Sequence, residues 1–129
     1  MITADQLVAH AVGDYVLQSD WMANEKTKRS VAALAHVFTY ALPFLFLRPS
    51  VTALAVIVGT HFMIDRWRLA RFVVWAKNFL GPGNPPWALC SGTGYPAGRP
   101  PWLAVWLLII ADNVMHVLIN GAALRWLPR

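Results

Sequence analysis

Cysteine is nearly absent from this chain. Cys90 is the only one among 129 residues, so no internal disulfide forms and a Cys-rich zinc motif is excluded. The redox compartment stays open. Charge is scarce too: Asp, Glu, Lys and Arg make up 13% of residues, against about 25% in ordinary soluble domains. No Gly-rich phosphate loop, nucleophile elbow or H-E-x-x-H motif occurs, which removes three common catalytic signatures. The start does not read as a cleaved signal peptide. It has no basic n-region, and Asp5, His10 and Asp14 interrupt its apolar run.

What is abundant is apolar surface. The chain is 57% hydrophobic, with a mean hydropathy of +0.47. In water so short a chain would not cover this much apolar area, whereas in a bilayer it need not. The expected fold is all-α: a polytopic membrane protein forming one domain over residues 1–129. Four membrane helices are expected in a bundle, at about 2–18, 31–47, 51–66 and 102–127. An amphipathic interfacial helix is expected at 67–80, where Arg71 and Lys77 alternate with Phe72, Val73, Val74, Trp75 and Phe79. Residues 81–101 are too rich in Gly and Pro for regular structure.

The first segment is short for a span, so it either crosses or inserts deeply. Thr3 is its expected N-cap, with Gln6 at the capping-box offset. Asp5 and Asp20 read as interfacial caps. Residues 19–30 read as a polar loop with room for a helical turn. Ser30 is the expected N-cap of the second helix, and Pro43 a kink near its end. Trp21, Trp87 and Trp102 suit a headgroup interface, and Cys90 reads as an ordinary loop residue.

Net charge is +5 and the pI about 10.0. The basic residues are spread between apolar segments, which points to membrane anchoring rather than nucleic-acid binding. With four spans, one side holds Lys26, Lys28, Arg29, Arg66, Arg68, Arg71, Lys77 and Arg99, and the other Arg48, Arg125 and Arg129. That asymmetry puts both termini outside a bacterial cytoplasmic membrane and the two basic connections inside.

The apolar segments carry a repeated polar pattern. His10 and Asp14, His61 and Asp65, and Asp112 and His116 are each four residues apart, which places each pair on one helix face. His36 also sits in an apolar run. In the four-span topology the last helix runs opposite to the first and third, and its order is Asp then His. Each Asp therefore lies nearer the cytoplasm, with its His one turn deeper. A carboxylate at the bilayer centre costs roughly 2.5–3.5 kcal/mol, and three facing one another repel. A bound cation answers both problems. The expected metal ligands are His10, Asp14, His36, His61, Asp65, Asp112 and His116, for one or two divalent ions, with zinc favoured and manganese or iron as alternatives. Some of the carboxylates fit equally as partners orienting ring nitrogens. A proton relay, or pairs of purely structural use, remain open. Gln18, Lys26, Asn113 and Asn120 fit either contacts to the site or ordinary caps and helix–helix hydrogen bonds.

His10-x3-Asp14-Tyr15-x-Leu17-Gln18, followed by Trp21 and Lys26, resembles the opening signature of a family of small bacterial and phage integral membrane proteins catalogued as a domain of unknown function. His36, His61-x3-Asp65-Arg66 and Asp112-x3-His116 resemble its later landmarks, so the likeness covers nearly the whole chain. A Gln often follows the final Asp in that pattern, whereas Asn113 stands here. The resemblance implies the membrane fold and the polar site but no reaction. A looser similarity exists to membrane-bound metal-dependent hydrolases.

The leading functional expectation is a metal-dependent hydrolase acting on a lipid or lipid-linked ester or phosphoester at the cytoplasmic face. Asp14, Asp65 and Asp112 would serve as ligands or bases. The alternatives are metal or proton transport, which would need a homo-oligomer, and a phage–host membrane interaction protein with a structural metal.

Overall fold

In the computed structural model, which describes residues 2–127, every regular element is helical and there is no strand among them. The chain opens with α1, Ala4–Ala11, capped by Thr3, whose Oγ1 accepts from the Gln6 N–H at 3.3 Å. Gln6 does not complete a capping box. Its side chain is buried and donates instead to the Val117 carbonyl at 2.6 Å. The first segment continues as a wide π-turn, Val12–Val16, closed by Leu17 N–H to the Val12 carbonyl at 3.0 Å.

Residues 19–30 contain more order than a polar loop. Ser19 caps α2, Asp20–Glu25, and Arg66 donates to the Thr27 carbonyl at 2.7 Å and the Ser30 hydroxyl at 3.3 Å. α3 spans Ser30–Leu45, with Arg29 rather than Ser30 at its N-cap. Pro43 lies inside its last turn and the helix ends two residues later. α4 spans Val51–Trp67, with the Ser50 hydroxyl accepting from the Ala53 N–H at 3.0 Å.

Arg68 adopts a positive φ of 52°, which ends α4. The expected interfacial helix is therefore a separate, shorter piece: α5, Ala70–Lys77, with a 3₁₀ turn, Asn78–Leu80. The Gly/Pro-rich stretch holds one helical turn, α6, Trp87–Cys90, in which Cys90 is fully buried. α7, Pro101–Trp126, is the longest helix.

The expectation of four spanning helices meets a plain length limit. Among the described residues one helix, α7, is long and apolar enough to cross a membrane, with a mean hydropathy of 1.9 over its most apolar window. α3 is a shorter apolar helix. α1 with its π-turn is 13 residues (8 + 5), about 20 Å at 1.5 Å per residue, against a hydrocarbon core of about 30 Å.

The chain forms two compact units, one from residues up to Trp67 together with His116 onward, the other from Arg68–Met115. In the first, Ala9, Tyr40, Phe44, Ala53, Ile57 and Ala123 form the apolar core. Ala32, Ala33 and Ala41 of α3 and Ala53 of α4 are buried, and small side chains of this kind permit close helix approach. Gln6, His10, Asp14, His36, His61, Asp65, His116 and Asn120 are inside, while Val31, Leu34, Phe38, Leu42 and Leu45 form an exposed stripe along α3. In the second unit α5 is fastened to the following loop by side chains. Arg68 and Arg71 donate to the carbonyls of Gly92 and Ser91, each at 2.9 Å. Trp87, half-buried, stacks on the exposed Phe72 with ring centroids 4.6 Å apart.

Gly13 sets the distance between the π-turn and α3. A Cβ there would lie 2.6 Å from the Tyr40 ring and 2.9 Å from the Tyr40 carbonyl oxygen. Gly13→Ala should destabilise the protein by about 1–3 kcal/mol through this clash. Gly59, in α4, would give its Cβ no neighbour within 4 Å, so Gly59→Ala should be neutral or stabilising by up to about 1 kcal/mol. Thermal unfolding of the two variants in detergent checks the contrast.

Candidate metal centre

Three elements of the first unit converge on one buried point. The π-turn supplies Asp14, α3 supplies His36, and one face of α4 supplies His61 and Asp65 a turn apart. The two imidazole Nε2 atoms face each other at 3.0 Å. Asp14 Oδ1 lies 3.2 Å from His36 Nε2 and 3.3 Å from His61 Nε2. Asp65 Oδ2 lies 3.1 Å and 3.2 Å from the same two nitrogens. All four residues are buried, and their ligand atoms lie within 4.8 Å of one another.

These distances test whether a cation fits. Four ligands about 2.0–2.1 Å from a tetrahedral centre lie about 3.4 Å apart. Five of the six separations in the cluster are 3.0–3.3 Å, a few tenths of an ångström short of that value, and the sixth is within 4.8 Å. Its donor set, two imidazoles and two carboxylates, suits zinc, manganese or iron. Hydrogen bonding alone leaves the cluster incomplete. Asp14 Oδ1 is buried and accepts no well-aligned hydrogen bond from the described residues, despite two nitrogens within 3.3 Å. His36 Nδ1 and His61 Nδ1 are also buried without a hydrogen-bond partner among the described residues, and a cation held by the Nε2 atoms would not satisfy them. Two facing ring nitrogens need either a proton or a cation between them, since two lone pairs or two N–H groups repel at this range. The buried His/Asp group is thus a possible metal site whose ion the donor set does not single out.

A second layer surrounds the four ligands. His116 Nε2, on α7, lies 3.3 Å from Asp65 Oδ1. His10 Nδ1 lies 3.5 Å from Asp14 Oδ2 and 2.9 Å from the Tyr40 hydroxyl. The fully buried Tyr40 hydroxyl accepts from Asn120 Nδ2 at 2.6 Å, and its ring stacks on His61 at 3.7 Å between centroids. Contact with the carboxylates' other oxygens places His10 and His116 where they orient Asp14 and Asp65. Asp112 is not one of the four residues of this group. Gln18 Oε1 is buried and has no hydrogen-bond partner among the described residues. Asn113 donates to the Ile109 carbonyl of its own helix at 2.8 Å.

One participant was legible only in part from the sequence. Lys26, just beyond α2, reaches into the cluster: its Nζ lies 2.7 Å from Asp65 Oδ2 and 3.4 Å from His36 Nε2. Its side chain is 19% exposed. The clamp from Arg66 to Thr27 fixes the turn that delivers it. The sequence placed Lys26 in a basic loop that reads as a solvated anchoring patch; only its position in the opening signature set it apart.

Tyr40 joins the α7 residues to the ligand helices. Removing its hydroxyl leaves the buried Asn120 amide without its acceptor, so Tyr40→Phe should cost about 1–3 kcal/mol of stability. The four ligand atoms would stay in place, because none belongs to Tyr40. Thermal unfolding alongside bound-metal content checks both halves.

No curated protein and no solved structure matches the chain. A family profile matches residues 2–81, less than the whole-chain likeness the motifs imply; His116 and Asp112 lie beyond it, and Asp14, Lys26, His36, His61 and Asp65 all lie within it. The chain belongs to the family described as a protein of unknown function, DUF3307.

Proposed function

We propose that this is an integral membrane protein whose buried His/Asp cluster holds a divalent cation near the cytoplasmic face and serves hydrolysis of a lipid or lipid-linked ester or phosphoester. The observation that carries the metal reading is the convergence of Asp14 Oδ1, His36 Nε2, His61 Nε2 and Asp65 Oδ2 within 4.8 Å of one another, with each carboxylate oxygen 3.1–3.3 Å from both ring nitrogens. The membrane reading is supported by the length of α7. It is supported also by the apolar stripe on α3, whose Phe38 is 64% exposed while His36 is fully buried. Lipid is the solvent in which an apolar outside and a polar inside are both favourable. In this reading α1, α3 and α4 insert beside α7, and the basic turn around Lys26 to Arg29 sits at the cytoplasmic surface.

The chemistry a divalent cation supplies is polarisation of a carbonyl or phosphoryl oxygen and activation of water. Asp14 and Asp65 would hold it and accept a proton. His10 and His116 would fix the carboxylates. Asp112, at i, i+4 from His116, enters the proposal as a further ligand or base. Lys26, the most exposed member of the cluster, would meet an anionic group arriving from the surface.

Elemental analysis of the detergent-purified chain beside His61→Ala and Asp65→Ala tests this directly. Stoichiometric metal in the wild type and loss in both variants is the expected result. A metal-free wild type after supplementation would end the hydrolase proposal.

A second reading rests on Lys26. Its ammonium offsets one of the two buried carboxylates, so the cluster could be a proton-holding or structural network, neutral once one imidazole is protonated. Lys26→Met separates the two. If Lys26 is the neutralising cation, the variant should lose about 3–5 kcal/mol of stability, since one buried charge is left unpaired. If a metal is resident, it should bind the ion as the wild type does and unfold near the wild-type temperature.

A further inference from the structure

The second unit carries a cleft of about 510 Å³, lined by Lys77, Asn78, residues 80–85, Tyr95, Pro96 and Arg99. Its electrostatics are one-sided. Between Asp65 and Asp112 the chain has no acidic residue, yet it holds Arg66, Arg68, Arg71, Lys77 and Arg99. Arg68 and Arg71 are engaged by backbone carbonyls, which leaves Lys77 and Arg99 as the cations that face the cleft. Lys77 rests on the Tyr95 ring, 5.3 Å from its centroid. That contact steadies the ammonium without neutralising it. The cleft wall also contains Asn84, whose Oδ1 is buried and has no hydrogen-bond partner among the described residues. The loop is held in register: Trp75 donates to the Pro85 carbonyl at 3.0 Å and Asn78 to the Gly94 carbonyl at 3.4 Å. Gly94, at φ 85°, has no room for a Cβ against Val74 and the Arg71 carbonyl. Leu80, which lines the cleft, is 92% exposed, and its neighbour in sequence Phe79 is exposed too.

We infer that this cleft binds a phosphoryl group, and that its ligand is the headgroup of an anionic phospholipid. Two cations with no neighbouring carboxylate in sequence favour an anion. An ammonium beside a guanidinium suits phosphate oxygens. Asn84 offers a polar contact to a headgroup hydroxyl. The exposed Leu80 in the cleft wall, next in sequence to the exposed Phe79, suits acyl chains rather than a free, fully hydrated ion. The inference is independent of the metal reading, since none of these residues belongs to the His/Asp cluster.

The test uses the full chain in a zwitterionic detergent. It is titrated calorimetrically with short-chain phosphatidic acid, short-chain phosphatidylcholine and inorganic phosphate. Phosphatidic acid should bind saturably and more tightly than the other two. The double variant Lys77→Gln/Arg99→Gln should weaken it about tenfold or more. Arg29→Gln, which removes one positive charge at an exposed site in the other unit, should leave binding unchanged. Circular dichroism and metal content report whether the double variant keeps its fold. Asn84→Leu, which keeps both cations, should weaken binding by a smaller factor and serves if the double variant fails to fold. Equal binding of phosphatidylcholine, or equal loss in Arg29→Gln, would overturn the site. Inorganic phosphate binding as tightly as the lipid would overturn the lipid assignment.

Discussion

Two carboxylates buried beside two imidazoles are the constraint around which the first unit is arranged. Asp14 and Asp65 are both nearly inaccessible, and their oxygens approach the same pair of ring nitrogens. Two like charges in a medium of low polarity require a positive partner, because water is not there to screen them. Lys26 supplies one such charge, at 2.7 Å from Asp65. It leaves Asp14 to be matched by a proton or a cation at the point where the two Nε2 atoms face each other.

That requirement explains features that helix propensity alone would not. The π-turn at Val12–Val16 costs hydrogen-bond regularity, but it turns Asp14 toward α3 and α4 while keeping His10 within 3.5 Å of it. Gly13 is there because Tyr40 occupies the space a Cβ would take. Tyr40 in turn stacks on His61 and accepts from Asn120, so the ring that crowds Gly13 also ties α7 to the ligand helices. Buried alanines on α3 and α4 permit close helix approach, and His36 and His61 meet.

Burying polar groups at the centre pushes the large apolar side chains outward. Phe38, Leu42 and Leu45 face away from the cluster along α3, opposite His36, Tyr40 and Phe44. The second unit follows a different logic. Its arginines hold loop carbonyls, its aromatics pack on one another, and its cations outnumber its carboxylates.

By itself the sequence determined the helical character, the wealth of apolar surface and the three His/Asp pairs. These depend on composition and on i, i+4 spacing, both of which are local. It located α3 and α7 to within about two residues, because each is a long apolar run. It did not show that the first helical stretch ends in a π-turn, packed with Gly13 against Tyr40, and it put the boundary between the helices at 51–66 and 67–80 within two residues of the positive φ at Arg68. Only the tertiary structure decided which polar residues share a centre. Lys26 enters from a basic turn and Gln6 reaches Val117 on a helix more than a hundred residues away, while the four-ligand group forms without Asp112. The reason is physical: spacing along a helix states which side chains share a face, but which faces meet depends on helix approach and rotation. Those are set by small residues and side-chain volumes distant in the chain.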